Sequence, residues 1–282
     1  IVFGDWSSDV CSSDLTGRPC LEIPLDHAGG LRLEGLDPAT VRDAALVAVC
    51  GVNNETGAVL DLAGLRRWMR SHTPRALLAV DAVQAVGRIA IPWEAAAIDA
   101  MAVSARKIGG PAGVGAAVVR RGTRLEPLLH GGGQQDGLRP GTLDVVGVCE
   151  TVQAAREAAA RRVEAGVRIA ALNRCLRAEL AAWADPPVRI LSPDSGVPHI
   201  LALLLPGFDG AVVARLLAER GVLVSSGSAC SAESAKTSHV ARAMGVPAAL
   251  ARGMLRVSFG HDTSPADLAV FSRELQATLR DY

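Results

Sequence analysis

Between Leu21 and Val119 the chain alternates short apolar runs with stretches of helical period. Leu46–Cys50 is apolar and bounded by turn residues, which predicts a buried strand. Asp61 then reads as an N-cap, because Leu62, Leu65 and Met69 fall on one helical face behind it. Further strand-like runs follow at 76–80, at Ala100–Ser104 and at Gly115–Val119. Asp37 before Pro38 predicts another helix start, with proline at its first position. This alternation predicts an α/β layer with a mostly parallel sheet. Ligands of such sheets sit beyond the carboxyl ends of the strands. The polar clusters at 53–55, 81–84 and 104–107 all fall at predicted strand ends.

The pattern changes after residue 145. Residues 146–183 are rich in Ala, Arg, Glu and Leu and predict one long helix, with a break expected near Gly166. It reads as the link to a second domain, with strand-like runs at 200–205, 222–224 and 255–259. Helices are predicted at 210–220 after Asp209 and at 265–279 after Ser264, where Ser264 and Asp267 have the spacing of a capping box. Neither an internal repeat nor a heptad run is present. The expected organisation is a large domain over 16–145 and a smaller C-terminal domain, with its linking helix, over 146–282.

Residues 5–15, DWSSDVCSSDL, join neither pattern. The string resembles the translation of a sequencing-adapter oligonucleotide, so residues 1–15 are expected to be a non-native segment. The plainer reading is a Ser/Asp-rich surface linker. An adapter origin would be excluded by a nucleotide record without adapter sequence there.

Composition narrows the classes of function. Nearly half of the 282 residues are apolar, enough for a substantial core, and the formal net charge is zero. Zero charge argues against a general electrostatic grip on nucleic acid or an anionic membrane. The apolar runs are too short and too interrupted to span a bilayer. The first ten residues lack the basic end and apolar run of a signal peptide. The six cysteines, Cys11, Cys20, Cys50, Cys149, Cys175 and Cys230, are scattered with no CxxC pair. That argues against a disulfide framework or a zinc site and favours a reducing cytoplasm. Cys50 and Cys149 lie in apolar runs and are expected in the core, whereas Cys230 has Ser, Gly and Ala neighbours. Nearly all basic residues are arginine; the only lysines are Lys107 and Lys236.

Lys107 follows a predicted strand and precedes glycines, in VSARKIGGPAGVGAAVV. A P-loop has the opposite order, glycines before lysine. A lysine at a strand–loop junction can be held against a cofactor aldehyde, and burial favours its reactive neutral form. Taken alone, a surface lysine is the commoner outcome. Asp81, in AVDAVQAVG, ends a buried strand, where a carboxylate needs a partner such as a pyridinium nitrogen; a helix N-cap is the equal alternative. Gln84 and Asn54 could each donate to a ring oxygen, although Asn-Asn before Gly also suits a plain turn.

Six segments in order, VNNETG, VDAVQAVG, SARKIGGPAGVG, HGGGQQDGLRPGT, SSGSACS and LRVSFG, resemble those of cysteine desulfurases of the NifS/IscS type. These form part of the class V aminotransferase family of fold-type I pyridoxal-phosphate (PLP) enzymes. The resemblance runs from about Leu21 to the C-terminus. It implies a mostly parallel sheet with helices on both faces plus a smaller C-terminal α+β domain. It implies Lys107 as the cofactor lysine, Asp81 as the pyridinium partner, and Asn54 and Gln84 as ring-oxygen ligands. Ser104 is implied as a phosphate ligand, and Arg106 stands where the family has a phosphate-binding histidine. Thr142 is implied to reach the phosphate of a neighbouring subunit, hence a homodimer. Cys230 is implied as the nucleophile that takes sulfur from L-cysteine, and Arg256 as the grip on the substrate carboxylate. A sulfur-acceptor protein, such as an iron–sulfur scaffold, is the implied partner, with no nucleic acid or membrane bound directly. Lys236 falls in no motif and reads as solvated.

Two family features have no counterpart in this sequence: the N-terminal glycine/threonine loop that takes the cofactor phosphate, and the histidine that stacks on the ring. His27, in LDHAGG, does not match. The chain is therefore expected to be N-terminally truncated and, alone, deficient in activity. The competing readings are another class V enzyme (an aminotransferase or selenocysteine lyase), an inactive fragment or scaffold of that fold, and, far behind, a nucleic-acid module.

Overall fold

The computed structural model describes residues 2–4, 19–185, 187–227 and 237–282. Six described strands form one sheet in the order β2-β1-β3-β4-β5-β6. They are β1 (Val2–Gly4), β2 (Leu21–Ile23), β3 (Leu46–Cys50), β4 (Leu77–Asp81), β5 (Ala100–Ser104) and β6 (Gly115–Val119). The first five pair in parallel and β6 closes the edge antiparallel to β5. β4 starts one residue later than the pattern predicts and thus takes in Asp81 as its last residue. β1 lies inside 1–15 yet pairs with both β2 and β3. Three residues carry too little periodicity to be read as a strand, so only the pairing reveals it.

Helix α1 (Pro38–Val41) starts at the Asp37 cap, and α2 (Leu62–His72) at the Asp61 cap, each carboxylate accepting a backbone N–H of the first turn. The apolar face of α2, Leu62, Leu65 and Met69, packs with Val47, Val49, Leu78 and Val80 of the strands to form the large-domain core. Burying a side chain of this size contributes about 1.5–3 kcal/mol, so this face and not helix propensity holds α2 in place.

Helix α3 (Val145–Ala181) runs unbroken for 37 residues and joins the two sheets. No break occurs at Gly166. Glycine there costs about 1 kcal/mol, but tertiary contacts hold the helix on both sides. Ala154 is buried before it and Ile169, Leu172, Leu176 and Leu180 after it. Arg168 also donates to the backbone carbonyls of His261 and Thr263.

The second sheet is antiparallel, β7 (Arg189–Ile190), β8 (Ile200–Leu204) and β9 (Met254–Ser258) in that order. α4 (Gly210–Glu219) and α7 (Pro265–Asp281) pack with α3 around Leu201, Leu203, Leu255 and Leu275. The predicted capping box at Ser264 and Asp267 is present. Two short helices, α5 (His239–Ala243) and α6 (Ala248–Ala251), complete this domain. Residues 222–224 do not form the expected strand: only Ser225 bridges to Arg256 of β9. Cys149, expected in the core, is exposed on α3, and Cys50 is only half-buried. No described helix is long and apolar enough to cross a membrane.

Candidate active site

Strands β3, β4 and β5 are adjacent and parallel, so their carboxyl ends share one edge of the sheet. Cys50 pairs with Asp81, and Asp81 with Ala102. Neighbouring strands lie about 4.8 Å apart, so the three ends span roughly 10 Å. That edge carries Asn54 after β3, Asp81 and Gln84 at the end of β4, and Ser104 and Lys107 at the end of β5.

Asp81 is half-buried, and its Oδ1 accepts the Val83 N–H at 2.7 Å. No helix starts there, so the bond closes a turn and Asp81 is not a helix N-cap. Burial pushes the carboxyl above its ordinary value, with the Val83 bond opposing more weakly. A carboxylate so placed is stabilised by a cationic donor. Its raised value in the folded state also fixes a sign. Folding favours the protonated form, so stability is greatest below the unfolded value and falls as pH rises through the folded one. Asp81→Asn, which copies the neutral shape, is therefore expected to melt above the parent protein at pH 7 and level with it below about pH 4. Thermal melts across that range check this; an equal or lower melting temperature at pH 7 would overturn it.

The VNNETG turn is built by Asn53. Its Oδ1 accepts from the backbone N–H groups of Glu55 and Thr56, both at 2.9 Å. Gly57 closes the turn at φ 74° against Val197 and Ile200, where a Cβ would come within 3.1 Å of Ile200. The turn presents the Asn54 carbonyl to Arg256, whose Nη1 donates to it at 2.9 Å. Arg256 Nη2 donates to Ser225 Oγ at 3.1 Å, and its Nε is buried without a hydrogen-bond partner. Arg256 is thus no surface charge. Burial pulls its guanidinium down and the charge of Glu55 pushes it back up. The Arg256 Nε is thus an unmet buried donor, for which a polar partner would be favourable.

Glu55 is a site residue that sequence reasoning missed. It is 0% exposed, and Ser238 Oγ donates to its Oε2 at 2.5 Å. The glutamate sits inside a quoted motif, but its partners lie 183 and 201 residues away, so nothing local marks its role. Ser225 and Ser238 were missed for the same reason.

Lys107 and Arg106 occupy a 3-10 turn, Ala105–Ile108, directly after β5. Gly109 ends the turn at φ 91°, a conformation glycine adopts without strain. Ala105 and Ile108 anchor it by burial, while Arg106 and Lys107 are exposed and Ser104 is half-buried. Thr142 is exposed, in the loop between β6 and α3. That loop includes Gln135 and Asp136 at positive φ, which costs energy for non-glycine residues. Cys230 and Lys236 lie outside the described residues.

Residues 6–271 match the family model described as aminotransferase class-V. The chain is 37% identical over 247 residues to a cysteine desulfurase of Cereibacter sphaeroides, covering 87% of this chain and 62% of that protein. It is 39% identical over 235 residues to an IscS-like cysteine desulfurase of Mycobacterium tuberculosis, covering 80% and 57%. A solved NifS-like protein superposes with a TM-score of 0.89 at 28% identity, over 100% of this chain and 75% of that one. The chain spans about three-fifths of the length of the curated relatives named. An α/β sheet of this topology and a family match over nearly the whole sequence lead to one conclusion: the chain belongs to the class V aminotransferase family.

Proposed function

We propose that this chain carries the site of a PLP-dependent cysteine desulfurase. That enzyme converts L-cysteine to L-alanine and moves the sulfur to an enzyme cysteine as a persulfide. An acceptor protein then takes the sulfur for iron–sulfur cluster, thio-cofactor or tRNA synthesis. The observation that carries this reading is the convergence of Lys107, Asp81 and Arg256 on one sheet edge, Arg256 arriving from the second domain through Asn54.

The residues fit the cofactor. Asp81 would take the pyridinium N–H, which supplies the positive donor that a desolvated carboxylate favours. Asn54 and Gln84 would take the ring oxygen, Ser104 and Arg106 the phosphate, and Lys107 the aldehyde carbon. Thr142 would serve the site of a second copy. When bound, the cofactor supplies an electron sink for the substrate's α-carbon. Lys107, as a free amine, moves the α-proton. Arg256 receives the substrate carboxylate and so orients the Cα–H bond. Cys230 attacks the substrate sulfur as thiolate; the S–S bond forms, the C–S bond breaks, and its electron pair stays with the carbon side, which is protonated to give alanine.

A homodimer is supported by uncovered apolar surface. Leu128 is 95% exposed, and Leu129, Leu143, Val145 and Val146 are also exposed. The edge strand β6 is almost wholly open. Large exposed apolar surface suits an interface. The free thiols Cys149 and Cys175 are consistent with a reducing cytoplasm.

The reading is tested by incubating the PLP-loaded protein with L-cysteine and measuring alanine and protein persulfide together. Equal amounts are expected in a single turnover; pyruvate, or transfer of the amino group to a keto acid, would overturn it. In the same assay Arg256→Lys keeps the charge but loses the fork. It is expected to lower kcat/KM for L-cysteine about 10- to 100-fold, mainly through KM. An unchanged KM would remove Arg256 from substrate binding.

A further inference from the structure

A second cleft, about 280 Å³ in volume, opens beside the lysine turn. Lys107 lines it, but Asp81, Gln84, Ser104 and Asn54 do not. Its walls come from four pieces of chain: the turn holding Arg88, the turn holding Arg106, the middle of α3 with Arg161 and Arg162, and the small-domain corner with His199 and His261. No Asp or Glu is among its lining residues. Arg161 has a counter-charge in Glu157 at 3.3 Å, on the exposed face of α3.

Arg88 and His199 are different. Arg88 is half-buried, and its side chain forms no hydrogen bond or ion pair with the described residues. Desolvation pulls its guanidinium down, with nothing opposing. His199 is 6% exposed, and its Nε2 is buried without a hydrogen-bond partner. Burial, and then the charge of Arg88, push this imidazole down to about 4, against a hydrogen bond to the Gln84 backbone. A buried cation without an acceptor, beside a buried ring nitrogen without a partner, is costly unless something negative joins them.

We propose that this cleft, which meets the cofactor edge at the Arg106–Lys107 turn, is an oxyanion-binding site that seats a phosphate- or sulfate-sized anion between Arg88 and His199. The guanidinium of Arg162 adds positive charge around it, and planar forks suit such anions. The anion accepts from Arg88; a proton taken up at His199 Nε2 on binding adds a second donor, while the other ring nitrogen stays hydrogen-bonded to the Gln84 backbone. Because Arg88 belongs to the large domain and His199 to the small one, the bound anion ties the two together. A free inorganic anion and the phosphate group of a larger metabolite offer the same chemistry.

The site is tested by titrating the PLP-loaded protein with sodium phosphate, holding ionic strength constant with chloride. The response is followed through the His199 ring proton resonances and the melting temperature. Saturable binding is expected, with a shift of the His199 signals. Arg88→Gln and His199→Asn should each weaken it about tenfold or more, while Ser104→Ala should leave it unchanged. Arg88→Gln removes a buried unpaired charge and should fold at least as well as the parent; Arg162→Gln, on an α3 surface, gives a second and milder variant. A response no larger than that to chloride would overturn the proposal. So would loss of binding in Ser104→Ala with retention in Arg88→Gln, which would place the anion at the strand ends. Sulfate, phosphate and a phosphate monoester are compared in parallel: tighter binding of the ester assigns a metabolite, and equal binding a free anion.

Discussion

Lys107→Ala is expected to lower sulfide release from L-cysteine by roughly a thousandfold or more. Two losses combine. On the proposed reading, the amine that would anchor the cofactor goes, and so does the group that would carry the α-proton. The chain offers no substitute: its other lysine, Lys236, lies in no cofactor motif. Position adds to chemistry, because Lys107 follows β5 immediately and β5 pairs with the strand that ends in Asp81. The 3-10 turn, with Ala105 and Ile108 buried, holds the lysine at that junction. The variant should fold normally, since Lys107 itself is exposed. Cofactor absorbance and sulfide release, measured on the same preparation, check both losses, and a small primary amine added to the assay should restore part of the rate. Lys236→Ala serves as the control. If Lys107→Ala keeps the parent's rate, or Lys236→Ala loses it, the assignment of the cofactor lysine is wrong.

Cys230→Ser should abolish persulfide formation and lower alanine production by roughly a thousandfold. The sulfur transfer requires a nucleophile that is anionic near neutral pH and soft enough to attack sulfur; a thiol titrates near 8.5, whereas a hydroxyl stays protonated. Cofactor absorbance and its change on adding L-cysteine should survive, because Lys107, Asp81 and Arg256 are untouched. Mass spectrometry of the protein after one turnover reads the result directly, as one added sulfur in the parent and none in the variant. A persulfide on Cys149 or Cys175 in the parent would move the role to another cysteine, both being exposed thiols.

Much of the architecture was legible because its signals are local. The caps Asp37, Asp61, Asp209 and Ser264 announce helix starts through side chains that reach only two or three residues forward. β3, β5 and β6 are apolar runs bounded by turn residues, and the sequence pattern matches their limits. The errors have a common cause. The break expected at Gly166 rests on intrinsic propensity, which buried contacts on either side override. The strand expected at 222–224 has the right composition, but only Ser225 finds a partner on β9. Cys149 lies in an apolar run, yet that run is on the exposed side of α3, a distinction hydropathy cannot make.

For the site, the sequence by itself determined which chemical groups are present and in what order: one motif lysine, an acid ending a strand, an arginine in LRVSFG and a cysteine in a small-residue segment. It could do so because each lies within a short motif. Tertiary structure alone decided what those groups face. It set Asn54, Asp81 and Lys107 on one edge by parallel pairing and brought Arg256 to the Asn54 carbonyl. It buried Glu55 near that arginine, and it left Arg88 and the Nε2 of His199 together without a partner. Burial and pairing are properties of contacts between residues far apart in the chain, and no local pattern encodes them.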